Sequence, residues 1–254
     1  MSIEEGLIPM HAYGVKNADW WDEGRLIEIS LQHNQLTSKI PENIGNLDKL
    51  QILELTGNYL KGEIPENIIN LGELKILKLN SNQLSGSIPE NIGLLLNLEK
   101  LYLKDNQLGC YKYDYECDSN GDDPNCCITH CDATDECNGG IPQSITNLIN
   151  LKKLHLEENI LTGSIPVNIG NLSSLSVLRL NINQLSETIP ESIVNLNNIT
   201  KIYLSNNKLS GQIPLALCTM GLSHLHYFGN DLCPPYPSLD CADEVEGDSQ
   251  YCSP

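Results

Sequence analysis

Basic and aromatic side chains recur in this sequence at a spacing that could build one anion-binding surface. Lys78 and Tyr102 stand 24 residues apart, His155, Arg179 and Tyr203 follow one another at the same step, and His226 comes 23 later. Two residues ahead of that series runs a second one, Lys100, Lys153, Lys201 and His224, while Lys104 lies two residues beyond Tyr102. Ammonium and guanidinium groups bind carboxylate, sulfate or phosphate, and Tyr rings among them suit a peptide or a carbohydrate. Histidines in such a series predict binding that strengthens below pH ~6.5. Two further clusters carry chemistry. Cys110, Cys117, Cys126, Cys127, Cys131 and Cys137 crowd one acidic stretch, and Cys218, Cys233, Cys241 and Cys252 lie near the C-terminus. Inside the first cluster Asp118, Asn120 and Asp122 set oxygen ligands at alternate positions around Gly121, like the opening of a calcium loop, although the distal Glu is missing. Against that stands a solvated acidic loop held by disulfides, with no cofactor at all.

These residues are positioned by a repeat. The pattern L-x-x-L-x-L-x-x-N-x-L occurs eight times, with its Asn at Asn34, Asn58, Asn82, Asn106, Asn159, Asn183, Asn207 and Asn230. A fixed period of this size means a solenoid, in which each coil buries its apolar face only against its neighbours. The step of 53 from Asn106 to Asn159 is one ordinary coil with 29 residues spliced in. Alternation around Leu77 and Leu79 predicts a short strand with the leucines inward and Ile76, Lys78 and Asn80 outward. Stacked copies give a parallel sheet whose outward columns read Ser30, Glu54, Lys78, Tyr102, His155, Arg179, Tyr203, His226 and Glu28, Ile52, Ile76, Lys100, Lys153, Val177, Lys201, His224. The Asn amide is expected to bond backbone groups of its own and the next coil. Each coil continues as L-x-G-x-I-P, seen at Leu60-Lys-Gly62-Glu-Ile64-Pro65 and Leu84-Ser-Gly86-Ser-Ile88-Pro89, which predicts extended or 3-10 pieces on the return side.

At these residues the sequence resembles the plant-type leucine-rich repeat over about residues 25 to 233. The resemblance implies a curved solenoid, an α/β horseshoe with the parallel sheet on its concave face. It also implies a binding platform, as in receptor ectodomains, polygalacturonase inhibitors and bacterial and algal surface proteins. The segment Leu232-Cys233-Pro-Pro-Tyr-Pro with Cys218, Cys241 and Cys252 resembles the stapled caps of secreted members. Two departures stand out: no cysteine-paired N-terminal cap precedes the first coil, and Ser38 and Glu187 replace the usual Gly. The division expected is a cap over 1–24, repeats over 25–108, an insertion over 109–139, repeats over 140–217 and a stapled cap over 218–254. By position, the insertion resembles the island inserts of some plant receptor ectodomains, and so is expected to be a specificity element.

Composition narrows the partners. A formal charge of −18 opposes nucleic acid and anionic membranes, and no apolar run reaches the length of a membrane span. Ten clustered cysteines suit an oxidising, extracellular or cell-surface setting, even though Met1-Ser-Ile-Glu-Glu opens no signal peptide. A cysteine-bound metal is the weaker alternative, since the spacing lacks paired C-x-x-C motifs. Asn171 and Asn198 open glycosylation sequons, usable in a eukaryotic host. Six of the 15 Lys and Arg face the predicted concavity, which returns nothing to the fold and points to a ligand with anionic groups. No catalytic constellation exists: the histidines have no partnered nucleophile, and Glu157 and Glu158 read as surface neighbours at a strand end. The expected function is therefore binding of a protein, peptide or acidic polysaccharide. The alternative is a structural or adhesive coat that self-assembles; ice binding would need a Thr ladder that these columns lack.

Overall fold

The computed structural model describes residues 21–22, 25–109 and 139–233. Eight three-residue strands, Glu28–Ser30, Ile52–Glu54, Ile76–Lys78, Lys100–Tyr102, Lys153–His155, Val177–Arg179, Lys201–Tyr203 and His224–His226, stack in chain order into one parallel sheet. The predicted alternation holds in every strand, where a buried central residue lies between two half-buried ones. Leu53, Leu77, Leu101, Leu154 and Leu178 form the spine of a continuous aliphatic core and are completely buried. Each such leucine contributes roughly 1.5–3 kcal/mol through the apolar area withdrawn from water. Trp21–Asp22 pairs antiparallel with Arg25–Leu26 beside the first coil.

The return side is built as its Gly and Pro predict. Pro41, Pro65, Pro142 and Pro190 sit in extended geometry ahead of the 3-10 turns Glu42–Asn46, Glu66–Asn70, Gln143–Asn147 and Glu191–Asn195. Short strands Thr37–Ser38, Tyr59–Gly62, Gln83–Gly86 and Gln107–Leu108 form a second parallel ladder along the coils. Ser38 and Glu187, which replace the glycine of the motif, keep its left-handed backbone at φ 78 and 64, next to 77 at Gly62 and 74 at Gly86. The fold thus imposes the glycine conformation on residues that carry a Cβ.

The Asn column staples the coils, with one correction to its direction. Asn82 Nδ2 donates to Leu79 O of its own coil at 2.9 Å and to Leu55 O of the coil before at 3.0 Å, while its Oδ1 accepts from Leu60 N at 3.1 Å. The bonds run to the preceding coil, because the turn carries each Asn back beneath the previous strand. On the first described coil, the Asn34 side chain donates to Gln32 O within its own turn.

The long step between Asn106 and Asn159 leaves this stacking unbroken. Asn159 reaches Leu103 O and accepts from Leu108 N as if the two coils were consecutive in sequence. Backbone bonds run from Gly109 N to Gly86 O and from Thr162 N to Gly139 O, and a side chain at 139 would collide with the Gly109 carbonyl. Gly109 and Gly139 are therefore adjacent, so the described chain breaks off and resumes at one corner of one coil. Residues 110–138 lie outside the described ones, and with them Cys110, Cys117, Cys126, Cys127, Cys131, Cys137 and the calcium candidates Asp118, Asn120 and Asp122. The same holds for Cys241, Cys252 and most of the expected N-terminal cap. Cys218 and Cys233 lie within the described residues and both are disulfide-bonded.

Candidate functional site

The sheet register places the predicted binding residues side by side. Lys100 pairs with Lys153, Tyr102 with His155, His155 with Arg179, Arg179 with Tyr203, and Tyr203 with His226. The middle column is a row of contacts between neighbouring coils. Lys78 Nζ lies 5.9 Å from the Tyr102 ring, Tyr102 stacks on His155 at 4.4 Å, and Arg179 lies over Tyr203 at 4.4 Å. Tyr203 and His226 follow at 4.9 Å, and His226 meets Phe228 at 6.1 Å. Phe228, more than a third exposed, extends this row beyond the residues that spacing alone selected.

The cations do not all remain free. Lys78 is tied to Glu54 at 3.0 Å. Lys104 is a correction: it lies two residues past the end of the strand and pairs with Glu158 at 3.0 Å. Lys100, Lys153 and Lys201, all half-buried in the first column, form no ion pair among the described residues. The lysines of the strip without an ion pair therefore lie in that column.

Glu157 is the second correction. It is no exposed neighbour of Glu158 but is buried, 2 % exposed, beside His155 and Arg179 of the middle column. Its Oε1 lies 3.7 Å from His155 Nδ1 and 3.9 Å from an Arg179 terminal nitrogen. Burial pushes its carboxyl pKa up, opposed by its own backbone N–H and by the charges of Arg179 and Lys104. Burial likewise pulls the His155 pKa down to about 4, helped by Arg179, Lys153 and Lys104. His155 is thus neutral at physiological pH and its contact with Glu157 is dipolar, so the expected gain in binding below pH ~6.5 does not extend to this residue. Tyr102 is raised by burial and by Glu157.

Glu157 belongs to a third column that spacing arguments left unread: Gln32, Thr56, Asn80, Lys104, Glu157, Asn181, Ser205, Phe228. Ladder bonds beyond the strands hold it in register, as from Glu158 N to Asn181 O. Its signal was present in the sequence, since the in-out alternation simply continues two residues past each strand. Elsewhere, the sequon residues Asn171 and Asn198 are both exposed, and Asn198 Nδ2 donates to Ser173 O at 2.7 Å. No helix among the described residues is long and apolar enough to cross a membrane.

Comparison with known proteins agrees with this architecture. Family models described as leucine-rich repeat match residues 25–47, 49–71, 73–95 and 149–209. No curated protein matches the sequence significantly. Among solved structures, the ectodomain of the receptor kinase GASSHO1/SCHENGEN3 from Arabidopsis thaliana, in complex with CASPARIAN STRIP INTEGRITY FACTOR 2, has a TM-score of 0.71 at 32% identity, covering 85% of this chain and 23% of that one. The Arabidopsis receptor kinase HAESA, in complex with the peptide hormone IDA and a co-receptor, gives 0.71 at 30% identity over 88% of this chain and 34% of that one. A plant ice-binding protein gives 0.66 at 32% identity over 83% of this chain and 60% of that one. The chain therefore spans only a quarter to a third of the receptor ectodomains it resembles. Repeat period, sheet topology, Asn ladder and these matches lead to one assignment: the chain belongs to the leucine-rich-repeat family, with repeats of the plant type.

Proposed function

We propose that this protein is an extracellular, non-enzymatic binding module that holds an acidic peptide or protein segment along its concave sheet. One observation carries the reading: Lys100 and Lys153 sit side by side, with Lys201 further along the same column, half-buried and free of ion pairs among the described residues, on a protein of charge −18. Like charges at strand spacing of about 4.8 Å repel, and the fold gains nothing from them. A carboxylate-bearing ligand would relieve that repulsion. The HAESA receptor of similar fold, solved with a peptide hormone, supports a peptide rather than a small molecule. Disulfide bonding at Cys218 and Cys233 supports an oxidising compartment. The insertion, entering at Gly109 and leaving at Gly139 on the coil that carries Lys100 and Tyr102, is the proposed specificity element.

A peptide and glycan array probed with the wild type and with a Lys100→Ser, Lys153→Ser, Lys201→Ser variant tests this. Acidic peptides retained by the first and lost by the second are expected. Equal retention would remove the strip from consideration. The structural or adhesive alternative predicts instead that dilute purified protein self-associates. Similarity to an ice-binding protein does not make that alternative stronger, because the outward columns mix Lys, Tyr, His and Glu where a regular Thr ladder would be needed.

A further inference from the structure

The chain's one phenylalanine stands where every earlier coil carries a polar residue. Phe228 closes the third outward column, which runs from Gln32 and Thr56 to Asn181 and Ser205. The bond from Asn206 N to Phe228 O fixes it in that place, just as the bond from Glu158 N fixes Asn181. Its side chain is 42 % exposed, so the core gains little from it. Beside it, on the last two strands of the sheet, the outward columns bring further rings together. Tyr203 and His226 lie 4.9 Å apart, Tyr203 and His224 6.0 Å, and His224 and His226 6.2 Å, while Phe228 joins them at 6.1 Å from His226. The four rings form an outward platform at the C-terminal end of the concave sheet. Lys201 pairs in register with His224 and borders the platform, without an ion pair among the described residues.

Protein surfaces hold peptides through a few anchor residues, aromatic ones above all. The lysine column sets where such an anchor falls. Lys153 and Lys201 are separated by Val177, which offers no charge, so the two cations stand two strand steps, about 9.6 Å, apart. A ligand that meets both runs across the strands. Polyproline II geometry, at three residues per turn and about 3.1 Å per residue, returns every third side chain to one side after about 9.3 Å. Adjacent acids would leave one carboxylate over Val177. One further strand step, about 4.8 Å, leads from Lys201 to His224 and the rings beside it. We propose that Tyr203, His224, His226 and Phe228 form the anchor site for an aromatic residue of the peptide, placed just beyond the second of two acids spaced about three residues apart. This rests on the concave-face reading and deepens it: the lysines read the acids and the platform fixes the register. Sugar rings also stack on aromatic side chains, but a neutral sugar leaves Lys153 and Lys201 on the same face without a counter-charge, which favours the peptide.

The test titrates the whole protein with three labelled peptides while the His224 and His226 ring signals are followed by NMR. The first is Glu-Pro-Pro-Glu-Ala-Trp, the second ends in Ala instead of Trp, and the third has the composition of the first with its two acids adjacent. The first is expected to bind about tenfold more tightly than either of the others. Unlike the Ala peptide, it should shift both His signals through the ring current of its indole. A His224→Ser, Phe228→Ser variant, changed only outside the aliphatic core, should bind the Trp peptide no better than the Ala peptide and melt like the wild type. Equal affinity for the Trp and Ala peptides, unshifted His signals at saturation, or an undiminished Trp preference in the variant would overturn the anchor site. Displacement of the Trp peptide by cellohexaose would overturn it in favour of carbohydrate. The Ala peptide reads the lysine column alone and should be lost with Lys100→Ser, Lys153→Ser, Lys201→Ser. If the Ala peptide does not bind, or binds that variant equally, the concave-face reading fails; if it binds as expected and Trp adds nothing, only the anchor site does.

Discussion

Lys153 stands directly beside Lys100 in the parallel register, and neither ammonium meets a carboxylate among the described residues. Their coil-to-coil neighbours in the middle column, Tyr102 and His155, are stacked. The same two coils thus carry one column that is satisfied by the fold and one that is not. This contrast separates side chains engaged between coils from those the described fold leaves without an ion pair.

The Asn ladder should show end effects. The Asn159 side chain bonds Leu156 O, Leu103 O and Leu108 N inside the core, whereas among the described residues the Asn34 side chain bonds Gln32 O alone. Asn159→Ala is expected to cost about 3 kcal/mol by stranding buried backbone groups, and Asn34→Ala less than about 1 kcal/mol. Chemical denaturation midpoints check the difference, and equal costs would contradict the role given to coil-to-coil bonding.

Backbone strain predicts two stabilising changes. The residue before each ladder Asn is left-handed, and on one coil that residue is the β-branched Ile182 at φ 56, exposed and packing little. Asn206 fills the equivalent place at the same φ. Ile182→Asn should therefore stabilise by about 1 kcal/mol, and Glu187→Gly, at φ 64, by a similar amount. A lowered melting temperature in both variants would show that the strain is relieved elsewhere.

Acid dependence follows from two buried groups acting in opposite senses. His155 titrates at about 4 in the fold against 6.5 when free, so its contribution to stability is present above pH 6.5 and is lost as pH falls toward 4. Glu157 is raised above 4.5, so its contribution is present below pH 4.5 and is lost as pH rises past that value. As pH falls toward 4.5 the two act in opposite senses. His155→Phe, which keeps a ring against Tyr102, leaves only the Glu157 effect, and its melting temperature should climb more on acidification than that of the wild type. Parallel profiles would contradict the assignment.

The period of 24 made the sheet, its register and the leucine core legible in the sequence, because each coil repeats one burial pattern and repetition averages away local ambiguity. Two outward columns were legible for the same reason. Glu157 was misread because strand hydrogen bonding ends at His155 while the extended backbone goes on alternating. An acid in the next outward place looks like a solvated turn residue unless its neighbours Lys104 and Asn181 are read with it. For Lys104 and Arg179 the sequence gives the column but not the diagonal contacts to Glu158 and Glu157. Ser38 and Glu187 looked like breaks in the glycine motif, yet the neighbouring coils hold them in the same backbone conformation.

The central claim is tested most directly by retention on an immobilised acidic peptide, comparing two triple variants of equal net charge. One replaces Lys100, Lys153 and Lys201 with Ser, and the other replaces Lys39, Lys49 and Lys208, which are exposed and lie away from this column. The account predicts that the first loses retention with an unchanged melting curve while the second binds like the wild type. Equal loss in both variants, or retention by the first, would contradict it.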